Sequence, residues 1–167
     1  NRRKMEVFHI MIPFRKTLEC DVFIAGGGTA GLMAAINACQ HGASVIVAEK
    51  ANTLRSGATA TGNDHFQCYI PEIHGSEEEW LELFMHDRPG GQNMDLDTIR
   101  VFMKEGFPIV QQWDEWGIPM KPRGKYEVQG HTMPGVLSTH LKFAGRDMKR
   151  VLTREALKAG ARILNRH

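Results

Sequence analysis

The residues with the plainest chemical purpose are glycines. Gly26-Gly27-Gly28-Thr29-Ala30-Gly31 has the spacing G-x-G-x-x-G. Each fixed glycine has a mechanical reason: Gly26 permits a tight turn, Gly28 lets a pyrophosphate approach the backbone, and Gly31 allows a helix to pack closely on a strand. A helix starting at such a turn aims unpaired N–H groups and the positive end of its dipole at the phosphates. Glu49 lies 18 positions beyond Gly31, where an acidic side chain accepts hydrogen bonds from the ribose hydroxyls of a dinucleotide. A 2'-phosphate would be repelled there, so NADP is disfavoured. The chain holds 17 glycines in 167 residues, four of them in this turn, against a usual share of about 7%.

The elements that must hold the turn flank it. Asp21-Val22-Phe23-Ile24-Ala25 is a short run of buried-strand type, Leu32 to His41 is apolar and alanine-rich like a packed helix closed by Gly42, and Ser44 to Glu49 is a second strand. Strand, turn, helix and strand within about thirty residues predict a βαβ unit with parallel strands. Residues 51–75 lack periodicity and read as one long loop leaving a strand end, a place that favours function. Ser76-Glu77-Glu78-Glu79 ahead of Trp80, Leu81, Leu83 and Phe84 predicts a capping box and a helix ending before Arg88.

Further on, a helix starting near Asp95 carries Leu96, Ile99, Phe102 and Met103 and is expected to break at Gly106-Phe107-Pro108. Another resumes at Pro108, buries Ile109, Val110, Trp113 and Trp116, and stops at Gly117. Residues 117–144 read as irregular, with a hairpin around Lys125 to Val128. Asp147 to Ala159 is helical, Gly160 stops it, and Ala161 to Leu164 opens a strand. The three tryptophans read as core, and Cys39 as a buried small hydrophobe.

Composition narrows the function classes. A chain that is 42% hydrophobic and 24% charged suits one globular domain. The formal charge of +2 is too small for an electrostatic clamp on nucleic acid. The basic clusters Arg2, Arg3, Lys4, Arg15 and Lys16, and Arg146, Lys149, Arg150 and Arg154, read as solvated surface. Cys20, Cys39 and Cys68 form no CxxC and have no histidine at zinc-finger spacing, so neither a disulfide scaffold nor a metal or iron-sulfur site is expected. No apolar run approaches the roughly 20 residues of a membrane span, and Val7 to Phe14 is too short and broken for a signal core. Arg2-Arg3 is a weak export hint, outweighed by an expected cytoplasmic location.

NAD and FAD present the same ADP half to this fingerprint, so the following loop has to separate them. Ala51 to Gly62 leaves the second strand just past the ribose position and supplies small residues, hydroxyls and backbone amides. Such a segment can run beside an extended cofactor towards a ring system. DVFIAGGGTAGLMAA, VIVAEK and RSGATATG together resemble the FAD-binding domain shared by fumarate reductase and succinate dehydrogenase flavoproteins, and RSGxxAxG is most similar to the alpha subunit of adenylylsulfate reductase. DLDTIRVFMKEGFPIVQQWDEWGIPM and AGRDMKRVLTREALKAGARIL are similar to later stretches of the family.

That resemblance implies an α/β fold: a Rossmann-like βαβ FAD-binding domain with a parallel sheet and a helical insertion, truncated. It divides the chain into an N-terminal extension, 1–19, and the FAD-binding domain, 20–167, with the family's capping domain and substrate-binding arginine and histidine expected beyond residue 167. By the same resemblance Gly26, Gly28, Thr29, Ala30 and Gly31 hold the pyrophosphate and Glu49 the ribose, while Lys50, Arg55, Ser56, Gly57, Ala58 and Gly62 line the rest of FAD. Succinate dehydrogenase-like members carry a histidine after Arg-Ser that bonds covalently to flavin. Gly57 stands there in this sequence, which implies non-covalent FAD. The glycine pair that often closes the loop is Gly62-Asn63 here.

The implied activity is two-electron transfer between a small-molecule substrate and the flavin. The implied partner is an iron-sulfur electron-transfer subunit, with no nucleic acid and no membrane span. A peripheral membrane position would come through that partner. The alternative is a non-catalytic FAD or nucleotide-binding module, or an assembly subunit that keeps the fold. No catalytic residue is assigned. Asp64 and His65 could reach the ring or a substrate, or be exposed loop residues. His131 and His140 could serve acid-base chemistry but read better as surface or hydrogen-bonded histidines.

Overall fold

A computed structural model describes residues 17–86, 93–130 and 136–167. The first parallel pair forms as the periodicity predicts. Strand β1, Val22–Ala25, leads through the glycine turn into α1, Thr29–Gln40, and returns as β2, Val45–Glu49. Helix α1 thus begins three residues earlier than the apolar run suggested, because the turn itself supplies its first residues. Further along the chain, α5, Met148–Ala159, leads into β5, Arg162–Asn165. β2 is the central strand, parallel to both neighbours, with Val22 opposite Val45 and Val47 opposite Ile163. A strand flanked on both sides reads as a continuous apolar run, and Val45, Ile46 and Val47 are all buried. α1 and α5 pack against each other and share a core with β2 through Leu32, Ala35, Ile36, Leu152 and Ala156.

The residues between β2 and α5 form an insertion with its own small sheet. β3, His65–Gln67, pairs antiparallel with β4, His140–Lys142. Helices α2, Pro71–His74, α3, Glu77–His86, and α4, Leu96–Glu115, fill the span between them. The capping box forms as read: Ser76 N–H donates to Glu79 Oε2 at 2.8 Å, and Glu79 N–H donates to Ser76 Oγ at 3.2 Å. Trp80 and Phe84 of α3 stack at 4.8 Å and close a second core with Ile99 and Met103 of α4.

Several expectations are corrected. Residues 51–75 are not one loop, since they contain β3 and α2. The supposed break at Gly106-Phe107-Pro108 is absent and α4 runs through it with Pro108 inside. Its buried residues Ile99, Met103, Gly106, Val110 and Trp113 make an unbroken helical stripe, so packing on that face overrides the local penalty. Pro108 and Lys104 lie on the exposed side, where water can meet the Lys104 carbonyl that the proline leaves without a donor. The segment at Lys125 to Val128 does not fold back on itself as a hairpin. Val128 instead bridges the buried Leu141 of β4 in antiparallel sense, with Gln129 N–H donating to His140 O and Lys142 N–H to Glu127 O. Cys39 is only half-buried, near the end of α1. The basic cluster before and within α5 is not all solvated, because Lys149 is buried. His131 lies outside the described residues.

Candidate cofactor site

The site is built at the end of β1, where the chain must turn sharply to enter α1. Gly26 has φ of +107°, a conformation that costs little only for glycine, and its N–H donates to Ala48 O at 2.7 Å, tying the turn to β2. Gly31 packs against that same turn, since a Cβ on it would lie 2.0 Å from Gly26 O. Gly28 is different: a Cβ there would meet nothing within 4 Å, and its φ of −69° is ordinary. Its lack of a side chain therefore serves neither packing nor backbone strain. It leaves open the space in front of α1. That helix has no side-chain cap and no acidic residue in its first turn, so its leading N–H groups face the space without a partner from the helix.

Glu49 reaches back from the end of β2. Its Oε2 accepts from Gly27 N–H and its Oε1 from Ala51 N–H, both at 2.8 Å. These bonds, that from Ala51 first, hold the carboxyl below the usual carboxylate range against the opposing effect of burial, with smaller help from the Ser56 hydroxyl and the Lys149 charge. Each carboxylate oxygen keeps a further lone pair for a ribose hydroxyl.

The loop after β2 then closes over the turn. Thr53 N–H donates to Asn165 Oδ1 at 2.9 Å, which pins the loop to β5. Thr59 Oγ1 lies 2.7 Å from Thr29 Oγ1, and a Cβ on Gly57 would stand 3.3 Å from Gly28 Cα. Gly57 and Gly62 both have positive φ. Gly62 is also pressed against the segment before α5, where a Cβ would lie 2.9 Å from Gly145 O.

The structure thus brings Gly26, Gly28, Thr29 and Gly31 together with Glu49, Ser56 and Gly57. Ala30 is exposed in the first turn of α1, and Lys50 and Ala58 are exposed beside the loop. Arg55 lines a cavity of about 390 Å³ between the loop and the start of α5, with Lys149 on its wall. Sequence reasoning passed over Gly27, Thr53, Thr59 and Lys149. Gly27 is fixed because a Cβ would strike Thr53 Cγ2 at 2.3 Å. Lys149 donates through Nζ to the Gly27 carbonyl from a position visible in sequence only as one member of a basic cluster.

Asp64, just before β3, pairs with Lys142, its Oδ2 2.6 Å from Lys142 Nζ, and its Oδ1 lies 2.8 Å from His65 Nδ1. The lysine first and the histidine second lower the Asp64 carboxyl to about 2. His140 of β4 lies edge-on to His65 at 6.4 Å. Among the described residues, no cluster of histidine, cysteine, aspartate or glutamate is placed to hold a metal ion, and no helix is long and apolar enough to cross a membrane.

The profile of the family described as "FAD binding domain" matches residues 21–167. The chain belongs to the FAD-binding domain family. One subunit of the fumarate reductase (CoM/CoB) from Methanothermobacter marburgensis is 33% identical over 103 residues, covering 59% of this chain and 18% of the relative. Adenylylsulfate reductase from Archaeoglobus fulgidus superposes with a TM-score of 0.60 at 25% identity, over 87% of this chain and 24% of that one. A quinol-fumarate reductase shares the fold with a TM-score of 0.67 at 24% identity, over 88% of this chain and 26% of that one. The chain therefore spans about a fifth of the length of the fumarate reductase relative. The family is one of FAD-dependent oxidoreductases, and FAD is the cofactor. The open space at Gly28, the uncapped start of α1 and the ionised Glu49 have the chemistry that the pyrophosphate and ribose of its ADP half would need.

Proposed function

We propose that this domain serves a flavoprotein subunit of the fumarate reductase or adenylylsulfate reductase type, in which residues 20–167 hold the ADP half of FAD and part of the route to its ring. When bound, FAD supplies two-electron transfer with a small-molecule substrate. The chain's own residues bind and orient it. Gly26, Gly28, Thr29, Ala30 and Gly31 receive the pyrophosphate, with N–H groups and the helix dipole favouring negative charge. Glu49 takes the ribose hydroxyls. Lys50, Arg55, Ser56, Gly57, Ala58 and Gly62 line the remaining length.

The observation that carries this reading is the contrast within the turn: a Cβ on Gly31 or Gly27 collides with the protein, whereas one on Gly28 projects into open space in front of an uncapped helix. Gly57, with no side chain to link to flavin, supports non-covalent attachment. The likeness to fumarate reductase and adenylylsulfate reductase supports an electron-transfer partner in the form of an iron-sulfur subunit.

An absorbance spectrum of the purified full-length protein tests the reading. Flavin bands should be present, and acid precipitation should release them to the supernatant. Colour left in the pellet contradicts non-covalent attachment. A colourless protein that takes up no added FAD contradicts the site.

A further inference from the structure

Among the described residues, the lysine or arginine that burial singles out is Lys149, in the first turn of α5. It is 3% exposed, an uncommon state for lysine, whose charge is costly to desolvate. Its Nζ donates to the carbonyl of Gly27, the residue whose N–H is already held by Glu49 at 2.8 Å. Glu49 is likewise buried, at 4% exposure. Both polar groups of one glycine are thus gripped, the N–H by a buried acid on β2 and the C=O by a buried base on α5. Gly27 cannot shift towards the loop either, because Thr53 stands against it.

The surroundings do not favour a cation for stability alone. Arg55, Arg146 and Arg150 share the cavity wall with Lys149, and Asp147 is the acid on that wall. The positive end of the α5 dipole adds to this field. Burial also pushes the Lys149 ammonium down from its ordinary value, with Glu49 opposing. A methionine would fill the same space without the cost of desolvating a charge, but it would leave the Gly27 carbonyl and the buried Glu49 without this partner.

We propose that Lys149 is a positioning residue for FAD: with Glu49 it clamps the Gly27 peptide, so that Gly28 and the first N–H groups of α1 are held facing the pyrophosphate before the cofactor arrives. The clamp rests on the assignment of this turn to FAD. It reduces the ordering that binding has to supply, the usual source of affinity from preorganisation. It also links α5 to the ribose acid, since the lysine charge favours the ionised Glu49 that the ribose needs.

The test is a set of FAD titrations on the full-length protein stripped of flavin, alongside thermal unfolding of each apoprotein. Lys149→Met should weaken FAD binding about tenfold, the loss of one charge-assisted hydrogen bond, measured on the folded apoprotein below its own unfolding midpoint, which should fall because the Gly27 carbonyl loses its donor. Lys149→Arg, which keeps the charge and a donor with the cavity to accommodate its length, should bind within about threefold of wild type.

A second signature separates positioning from support of α5. Glu49 is faced by the N–H groups of Gly27 and Ala51, the Ser56 hydroxyl and Lys149. Without the lysine its carboxyl protonates more readily, so binding by Lys149→Met should fall off in acid at a higher pH than binding by wild type. If wild type binds FAD and folded Lys149→Met matches it within twofold at all pH, the inference is overturned. Should Lys149→Met not fold, Lys149→Gln takes its place under the same criterion. Failure of wild type itself to bind FAD overturns the assignment of the turn instead.

Discussion

The βαβ layer and the insertion are built on opposite plans. In the first, residues 21–49 are contiguous, and each element prescribes the next: a strand, a turn that only glycine can make, a helix starting at that turn, and a parallel strand carrying the acid back to it. In the second, the strands that pair are distant in sequence, and Asp64 on one side meets Lys142 on the other across 78 positions. The cofactor site takes its geometry from the local plan. It takes its enclosure from contacts distant in sequence, through Gly62 against Gly145 in the insertion and Lys149 of α5 against Gly27.

The joint between the two regions offers the largest expected effect. Trp113 of α4 is 3% exposed, packs edge-on to Phe66 of β3 at 5.4 Å, and points its indole N–H at Met33 Sδ of α1, 3.4 Å away. Trp113→Ala should cost about 3–5 kcal/mol of stability in a denaturant titration, while the protein that remains folded binds FAD nearly as wild type does. A loss of affinity larger than the loss of stability would show that the insertion shapes the site and not only its support.

Gly31→Ala comes next and strikes the local plan itself. Its methyl would lie 2.0 Å from the Gly26 carbonyl oxygen, a backbone atom that cannot move without opening the turn. A stability loss of about 2–3 kcal/mol is expected, together with loss of FAD binding. Wild-type stability in this variant would mean that the turn is looser than its contacts require.

Glu49→Gln should have a smaller effect, weakening FAD by about 1–2 kcal/mol as a charge-assisted hydrogen bond becomes neutral. It also has a pH signature. The folded protein holds the Glu49 carboxyl below its unfolded value, so the stability gained is in place above that unfolded value and is lost as pH falls through the folded one. Glu49→Gln lacks this contribution, and its stability should decline less steeply in acid than that of wild type.

These differences follow what the sequence makes legible. The βαβ layer was readable because glycine spacing, strand runs and the position of Glu49 all describe interactions within about thirty residues. The capping box at Ser76 was readable for the same reason. Pro108 misled because a local penalty was weighed without the apolar stripe that runs past it from Ile99 to Trp113. Val128 misled because its partner, Leu141, lies on another strand. Lys149 was invisible as a site residue, since nothing near it in sequence distinguishes it from Arg146, Arg150 and Arg154. Its partners, Gly27 and Glu49, lie a hundred residues or more away. Local signals identified the family and the turn, whereas the outer wall of the site depends on which distant segments the fold brings together.

The central claim is that Gly27 and Gly31 are fixed by contacts and Gly26 by its positive φ, whereas Gly28 has open space and an ordinary φ, which leaves a pyrophosphate as the reason for its missing side chain. Gly28→Ala in the full-length protein tests it most directly, with stability and FAD affinity measured on the same sample. The added methyl meets no protein atom within 4 Å, so stability should stay within about 1 kcal/mol of wild type, the cost of alanine at a helix N-cap. FAD affinity should fall at least about tenfold, because the methyl occupies the space of the phosphate. A variant that folds normally and binds FAD as tightly as wild type would contradict the account.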